Sequence, residues 1–160
     1  MFTCHRLLSA MMIALLLPGF AAAQDRDAKA VQSQALTDAG LAKYTQATRK
    51  LAALPGGDCD DDDSQSIDQM TAKLNASPGA KAAIQSAGMT TREYVVFTWS
   101  LLQTGLAAWA VDQPGGKLPP GTSKANVDFY KKHAAELQQL EGLKQGDDCD
   151  DREDDREDDE

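Results

Sequence analysis

YVVFTWSLLQTGLAAWAV, Tyr94 to Val111, is an eighteen-residue run without a single charged side chain, and it limits the folds open to this chain more than any other stretch. Thr90 and Glu93 before it form a candidate capping box, in which the hydroxyl takes one free backbone N–H and the carboxylate another. Val95, Trp99, Leu102, Leu106 and Trp109 make one apolar stripe at helical spacing; Tyr94, Phe97, Leu101 and Ala108 make a second. A helix apolar on nearly all sides belongs either at the centre of a bundle or in a bilayer. Eighteen residues only just reach the length of a span. Ser100, Gln103, Thr104 and Gly105 interrupt the run near its middle. The expectation is therefore a buried central helix with Leu102 among its core side chains, and no membrane span in the mature chain.

The flanking segments supply faces to pack on it. LTDAGLAKYTQATRKLAALPGG offers Thr37 as N-cap and Leu41, Tyr44, Thr48, Leu51 and Leu54 as an apolar row, with Pro55-Gly56-Gly57 as a stop. SQSIDQMTAKLNASPG carries Ile67, Met70, Thr71 and Leu74 at the same period and ends before Pro78. A short helix over residues 78–87 follows, with proline in its first turn and Gly88 past its end. After the connector DQPGGKLPPG, Thr122 or Ser123 caps a last helix bearing Val127, Tyr130, Ala134 and Leu137, widened by Phe129, Leu140 and Leu143 and ended by Gly146. No sustained period-2 alternation of β-branched residues appears, which argues against a sheet. The expected fold is all-α: a single-domain bundle of four main helices plus one short helix, with one disulfide.

Residues 1–23 read differently. MFTCHRLLSAMMIALLLPGFAAAQ has a charged start at Arg6, an apolar stretch from Leu7 to Leu17, a Pro18-Gly19 break and the small-residue pattern Ala21-x-Ala23. That is the pattern of a secretory signal peptide cut after Ala23. The apolar stretch of about eleven residues falls short of the roughly 20 that cross a bilayer. The expected organisation is a signal peptide over 1–23, a helical domain over 24–146 and a disordered acidic tail over 147–160, in a periplasmic or secreted protein.

Export gives the cysteines their meaning, because disulfides persist in an oxidising compartment. With Cys4 removed, Cys59 and Cys149 allow one intramolecular pairing, closing a loop of roughly 90 residues that chain entropy values at about 4–5 kcal/mol as an upper figure. Free thiols or a bridge between chains are the alternatives. Both cysteines sit among aspartates, whose charge disfavours the thiolate, so neither suits redox or metal–sulfur chemistry.

Charge is concentrated around the same two residues. The chain has 16 basic and 25 acidic residues; removal of Arg6 leaves a net charge of −10. Residues 58–63 carry −5 and residues 147–160 carry −9, so the remainder is +4. Asp58, Asp60 and Asp62 fall at the first three ligand positions of an EF-hand loop, but Asp63 replaces the required glycine and Gln69 the bidentate glutamate. The bridge would still bring the first cluster beside the second. Asp58, Asp60, Asp62, Asp148 and Asp150 are thus candidate ligands for a divalent cation, Ca²⁺ first among them, with solvated surface charge as the alternative. The tail DDREDDREDDE has no aromatic residue and cannot bury apolar surface. It suits a basic protein partner, whereas nucleic acid would be repelled.

Catalytic machinery is hard to find. One histidine, His133, follows the signal peptide, which rules out HExxH and CxxCH; no G-x-S-x-G, P-loop or G-x-G-x-x-G occurs. His133 reads as an ordinary, partly exposed residue, and Glu93 with Asp112 is the remaining carboxylate pair. The expectation is no enzyme and no obligate cofactor.

Over residues 36–141, the segments LTDAGLAKY, AAIQSAGMTTREYVVFTWSLLQ and LPPGTSKANVDFYKKHAAELQQL resemble a group of small exported bacterial all-helical proteins of uncharacterised function. The resemblance implies export and an all-α fold, and the acidic runs lie outside it. Two functions are therefore expected as candidates: an exported binding or interaction module whose acidic clusters hold cations or a basic partner, or a structural or stress-related envelope protein whose acidic runs only aid solubility.

Overall fold

The computed structural model describes residues 19–55 and 66–144, and all the regular secondary structure among them is helical. Its elements are α1 (Gly19–Ser33), α2 (Asp38–Ala52), α3 (Ile67–Ala76), α4 (Pro78–Ser86), α5 (Thr91–Asp112), α6 (Lys124–Lys132) and α7 (Ala134–Lys144). The expected caps Thr37 and Thr90 are the observed ones, and Ser66 and Ser77 cap the two helices between them. Thr37 Oγ1 accepts from Gly40 N, Ser66 Oγ from Gln69 N at 3.1 Å, and Ser77 Oγ from Ala80 N. At α5 both halves of the capping box form: Glu93 N donates to Thr90 Oγ1 at 3.1 Å and Thr90 N to Glu93 Oε2 at 2.7 Å. The backbone bond from Thr90 and the bond to its side chain hold the Glu93 carboxyl below its ordinary pKa. Gly88 leaves α4 at φ +78°, in the left-handed region where a side chain would be strained.

The expected five helices become seven for two reasons. α1 carries no long apolar row to mark it in the sequence, because its inward face is little more than Ala30 and Val31. The last helix, expected in one piece, breaks at His133, whose backbone (φ −104°, ψ 12°) leaves the α-helical range and caps α6 instead. There the imidazole ring lies 4.4 Å from that of Phe129. Its side chain is 16% exposed, more enclosed than an ordinary surface histidine, with Nε2 2.9 Å from Asp38 Oδ1 and Nδ1 3.4 Å from Glu136 Oε2. The break turns α7 onto α2.

The core has three parts around α5. The largest gathers Leu41, Tyr44, Ile84, Phe97, Leu101 and Leu137 among others, with Tyr44 stacked on Tyr94 at 5.0 Å and tilted against Phe97 at 5.1 Å. A second joins Val31 and Ile67 to Val95 and Val96, and a third joins Ala107 and Ala108 to Val127. Close packing fixes Gly40: a Cβ there would stand 2.9 Å from Phe97 Cε2, so α2 approaches α5 only with hydrogen at that point. Ser100 and Asn126 find hydrogen-bond partners inside, some far along the chain. Ser100 Oγ donates to Val96 O at 2.7 Å and to Val31 O at 3.3 Å. Asn126 ties the α1–α2 connection to α6, accepting from Leu36 N at 3.1 Å and donating to Gln34 O at 2.8 Å.

The central helix is not enclosed on all sides. Leu102 is 56% exposed, Leu106 62% and Trp109 66%, so the expectation that Leu102 fills the core is overturned. An all-round apolar helix carries no directional signal, and its neighbours decide which side is covered. They cover Tyr94, Phe97, Leu101 and Ala108 together with the small polar residues Ser100 and Thr104.

Candidate functional site

Among the described residues, the widest departure from a soluble surface is this uncovered side of α5. Leu102, Leu106 and Trp109 follow one another at spacings of four and three, so they form one row along the helix. The half-buried Trp99 stands three residues before Leu102 and extends the row. Contiguous apolar surface of this kind on a soluble protein marks an interaction site more often than a packing accident.

The row is a ridge between two grooves of about 330 Å³ each. α1 walls the first with Asp27, Ala28 and Val31, and α5 with Trp99, Leu102 and Leu106. Asp27 is fixed at its rim by accepting from Ile67 N at 2.9 Å, which also caps the start of α3. The second groove has Tyr44, Leu101, Tyr130, Leu137, Leu140 and Glu141 around the same Leu102 and Leu106. Tyr130 closes tightly on α5 because residue 105 is glycine; a Cβ there would be 2.8 Å from Tyr130 Oη. Burial, and after it the nearby Glu141 charge, push the Tyr130 phenol above its ordinary pKa. The lining is mostly apolar with a carboxylate on each outer wall, a composition that seats apolar side chains and offers little to a charged metabolite. The sequence places the whole stripe in the core; Val95 is buried there and Trp99 half-buried, whereas Leu102, Leu106 and Trp109 are exposed. The clue against that was the second stripe on the same helix, since flanking helices with single narrow faces cannot cover both.

The residues expected to carry chemistry are distributed otherwise. Cys59, Cys149, Asp58, Asp60, Asp62, Asp148 and Asp150 lie outside the described residues. Among the described ones, no group of three or more His, Cys, Asp and Glu side chains is placed to hold a metal ion. Glu93 and Asp112 sit near opposite ends of α5, about 28 Å apart at the rise of an α-helix, with Asp112 paired to Lys131. His133 is held between two carboxylates at the α6–α7 break, where it joins α7 to the start of α2. The Lys132 hydrogen bond and charge, and to a lesser degree His133, keep the Asp38 carboxyl below its ordinary pKa.

α5 is the one helix among the described residues long and apolar enough to cross a membrane, and half of its apolar stretch is buried within the protein. No family model, no curated protein and no solved structure matches the chain.

Proposed function

We propose that this chain is an exported, non-enzymatic interaction module, periplasmic or secreted, that docks a protein partner on the exposed face of α5. The observation that carries the reading is the row Leu102, Leu106 and Trp109, more than half exposed in each case and free of charge along its length. Exposing such side chains forgoes burial that would stabilise the fold by about 1.5–3 kcal/mol each, a cost that docking recovers. In this reading the acidic clusters are accessory: with Cys59 bridged to Cys149, they hold Ca²⁺ or a basic partner.

The test is a photo-reactive phenylalanine analogue in place of Leu106, with the same analogue in place of the exposed Lys81 as control, in cells that export the protein. Cross-linked protein adducts at position 106 and not at 81 are the expected result. Equal yields at both positions would remove the docking reading and leave a structural envelope protein whose acidic runs serve solubility.

A further inference from the structure

The row on α5 has a property that narrows the partner. Trp99, Leu102, Leu106 and Trp109 are spaced three, four and three apart, and the order Trp, Leu, Leu, Trp reads the same from either end. Spacing of this kind is the a/d seam of a coiled coil. A helix laid antiparallel on it, with the two-fold axis at the level of Thr104, sets Leu102 against Leu106 and Trp99 against Trp109. We propose that α5 is a self-recognition face and that its occupant is a second copy of this chain in antiparallel, two-fold pairing. The inference rests on reading that face as a docking surface.

Three observations support a second copy over an unrelated protein. Two-fold pairing needs a surface complementary to itself, and a row that is its own reverse meets that condition without any adjustment of register. A chain of net charge −9 repels its copies, yet residues 94–111 are uncharged, so the ridge itself brings no like charges together; the carboxylates Asp27 and Glu141 stand on the outer groove walls. Finally, both grooves border Leu102 and Leu106, so side chains that meet across the axis have recesses beside them to pack into. Trp109, 66% exposed, would lie over Trp99 of the second copy, at the groove that α1 walls with Ala28 and Val31. The row spans about three helical turns, roughly 15 Å. Such a contact belongs at the small end of specific interfaces, below about 1,200 Å² in total, where association is weak and depends on concentration.

Sedimentation velocity on the processed, oxidised protein from about 1 to 500 µM is the test, a range that brackets the micromolar affinities of small interfaces. The expected result is a reversible twofold rise in mass, lost in Leu106→Glu without change in helicity or unfolding temperature, because Leu106 is 62% exposed. Register is read separately in a Cys59→Ser, Cys149→Ser background. A mixture of Leu102→Cys and Leu106→Cys chains should oxidise to the linked dimer faster than either alone, since each residue faces the other across the axis. Faster oxidation of the single variants, or a dimer that survives Leu106→Glu, overturns the pairing. So does a monomer at every concentration that binds phosphatidylglycerol-containing vesicles through Leu106, which would give the face to a lipid surface. A monomer that still forms adducts from position 106 overturns the pairing alone; a monomer without adducts removes the docking reading as well.

Discussion

Tyr94 illustrates how much a single side chain contributes here. Its hydroxyl lies 3.1 Å from Thr48 Oγ1 in the core, and its ring stacks on Tyr44. Burial first, and the neighbouring Tyr44 second, push its phenol well above the ordinary value of 10.0. A phenol that resists ionisation only when folded stabilises the protein fully below about pH 10; above it the unfolded chain releases the proton and the folded one does not. Stability should therefore fall as pH climbs past 10. In Tyr94→Phe, urea unfolding at pH 7 should show a loss of about 1–3 kcal/mol, because the Thr48 hydroxyl is left without this partner. The same variant should lose less stability than the parent between pH 9 and 11, and an equally steep alkaline fall in both would disprove the assignment. Legibility at this scale was uneven. The caps Thr37, Thr90 and Glu93 were visible because capping depends on neighbours a few residues away. The partners of Tyr94 and His133 were not, since Thr48 lies 46 positions from Tyr94 and Asp38 lies far along the chain from His133.

Element by element, the periodic helices α2, α3, α4 and α5 were legible and their starts fell where capping residues stood. α1 was not, because a helix with few inward apolar residues has a weak period, and the α6–α7 break was hidden inside an apolar row that runs on through it. The orientation of α5 was the largest miss: two apolar stripes on one helix are equal in the sequence, and only tertiary contacts choose between them. That choice makes neighbouring leucines a sharp comparison. Leu101 is 7% exposed, and Leu101→Ala should destabilise by about 2–5 kcal/mol through the cavity it leaves. Leu102→Ala should stay within about 0.5 kcal/mol of the parent, as surface changes do. Chemical denaturation of the two variants checks this, and similar losses in both would mean that the exposed side of α5 is wrongly assigned.

At the scale of the whole molecule, α2 and α7 run side by side in the same direction, since His133 and Lys132 meet Asp38 at the start of α2 while Glu136 accepts from Thr45 half-way along it. The last described residues of both arms, 55 and 144, therefore follow helices that leave toward one end. The Cys59–Cys149 bridge and the cation site of the proposed function are tested together. Millimolar Ca²⁺ at tenfold excess over its Kd should stabilise the oxidised protein by about 1.4 kcal/mol, a rise in unfolding temperature of about 3–6 °C for a domain of this size. The Cys59→Ser, Cys149→Ser protein should respond less, and equal shifts would show two clusters acting separately. In the proposed reading, where residues 1–23 are a leader cut away on export, the opposite end of the chain constrains the order of events. α1 runs from Gly19 to Ser33 without interruption, so a cut after Ala23 falls inside a helix. Helical carbonyls are already committed to N–H groups four residues on, whereas a protease cleft takes its substrate extended. On that proposal, removal of residues 1–23 comes before α1 settles against Val95 and Val96, and full-length chain that has already folded should resist the cut.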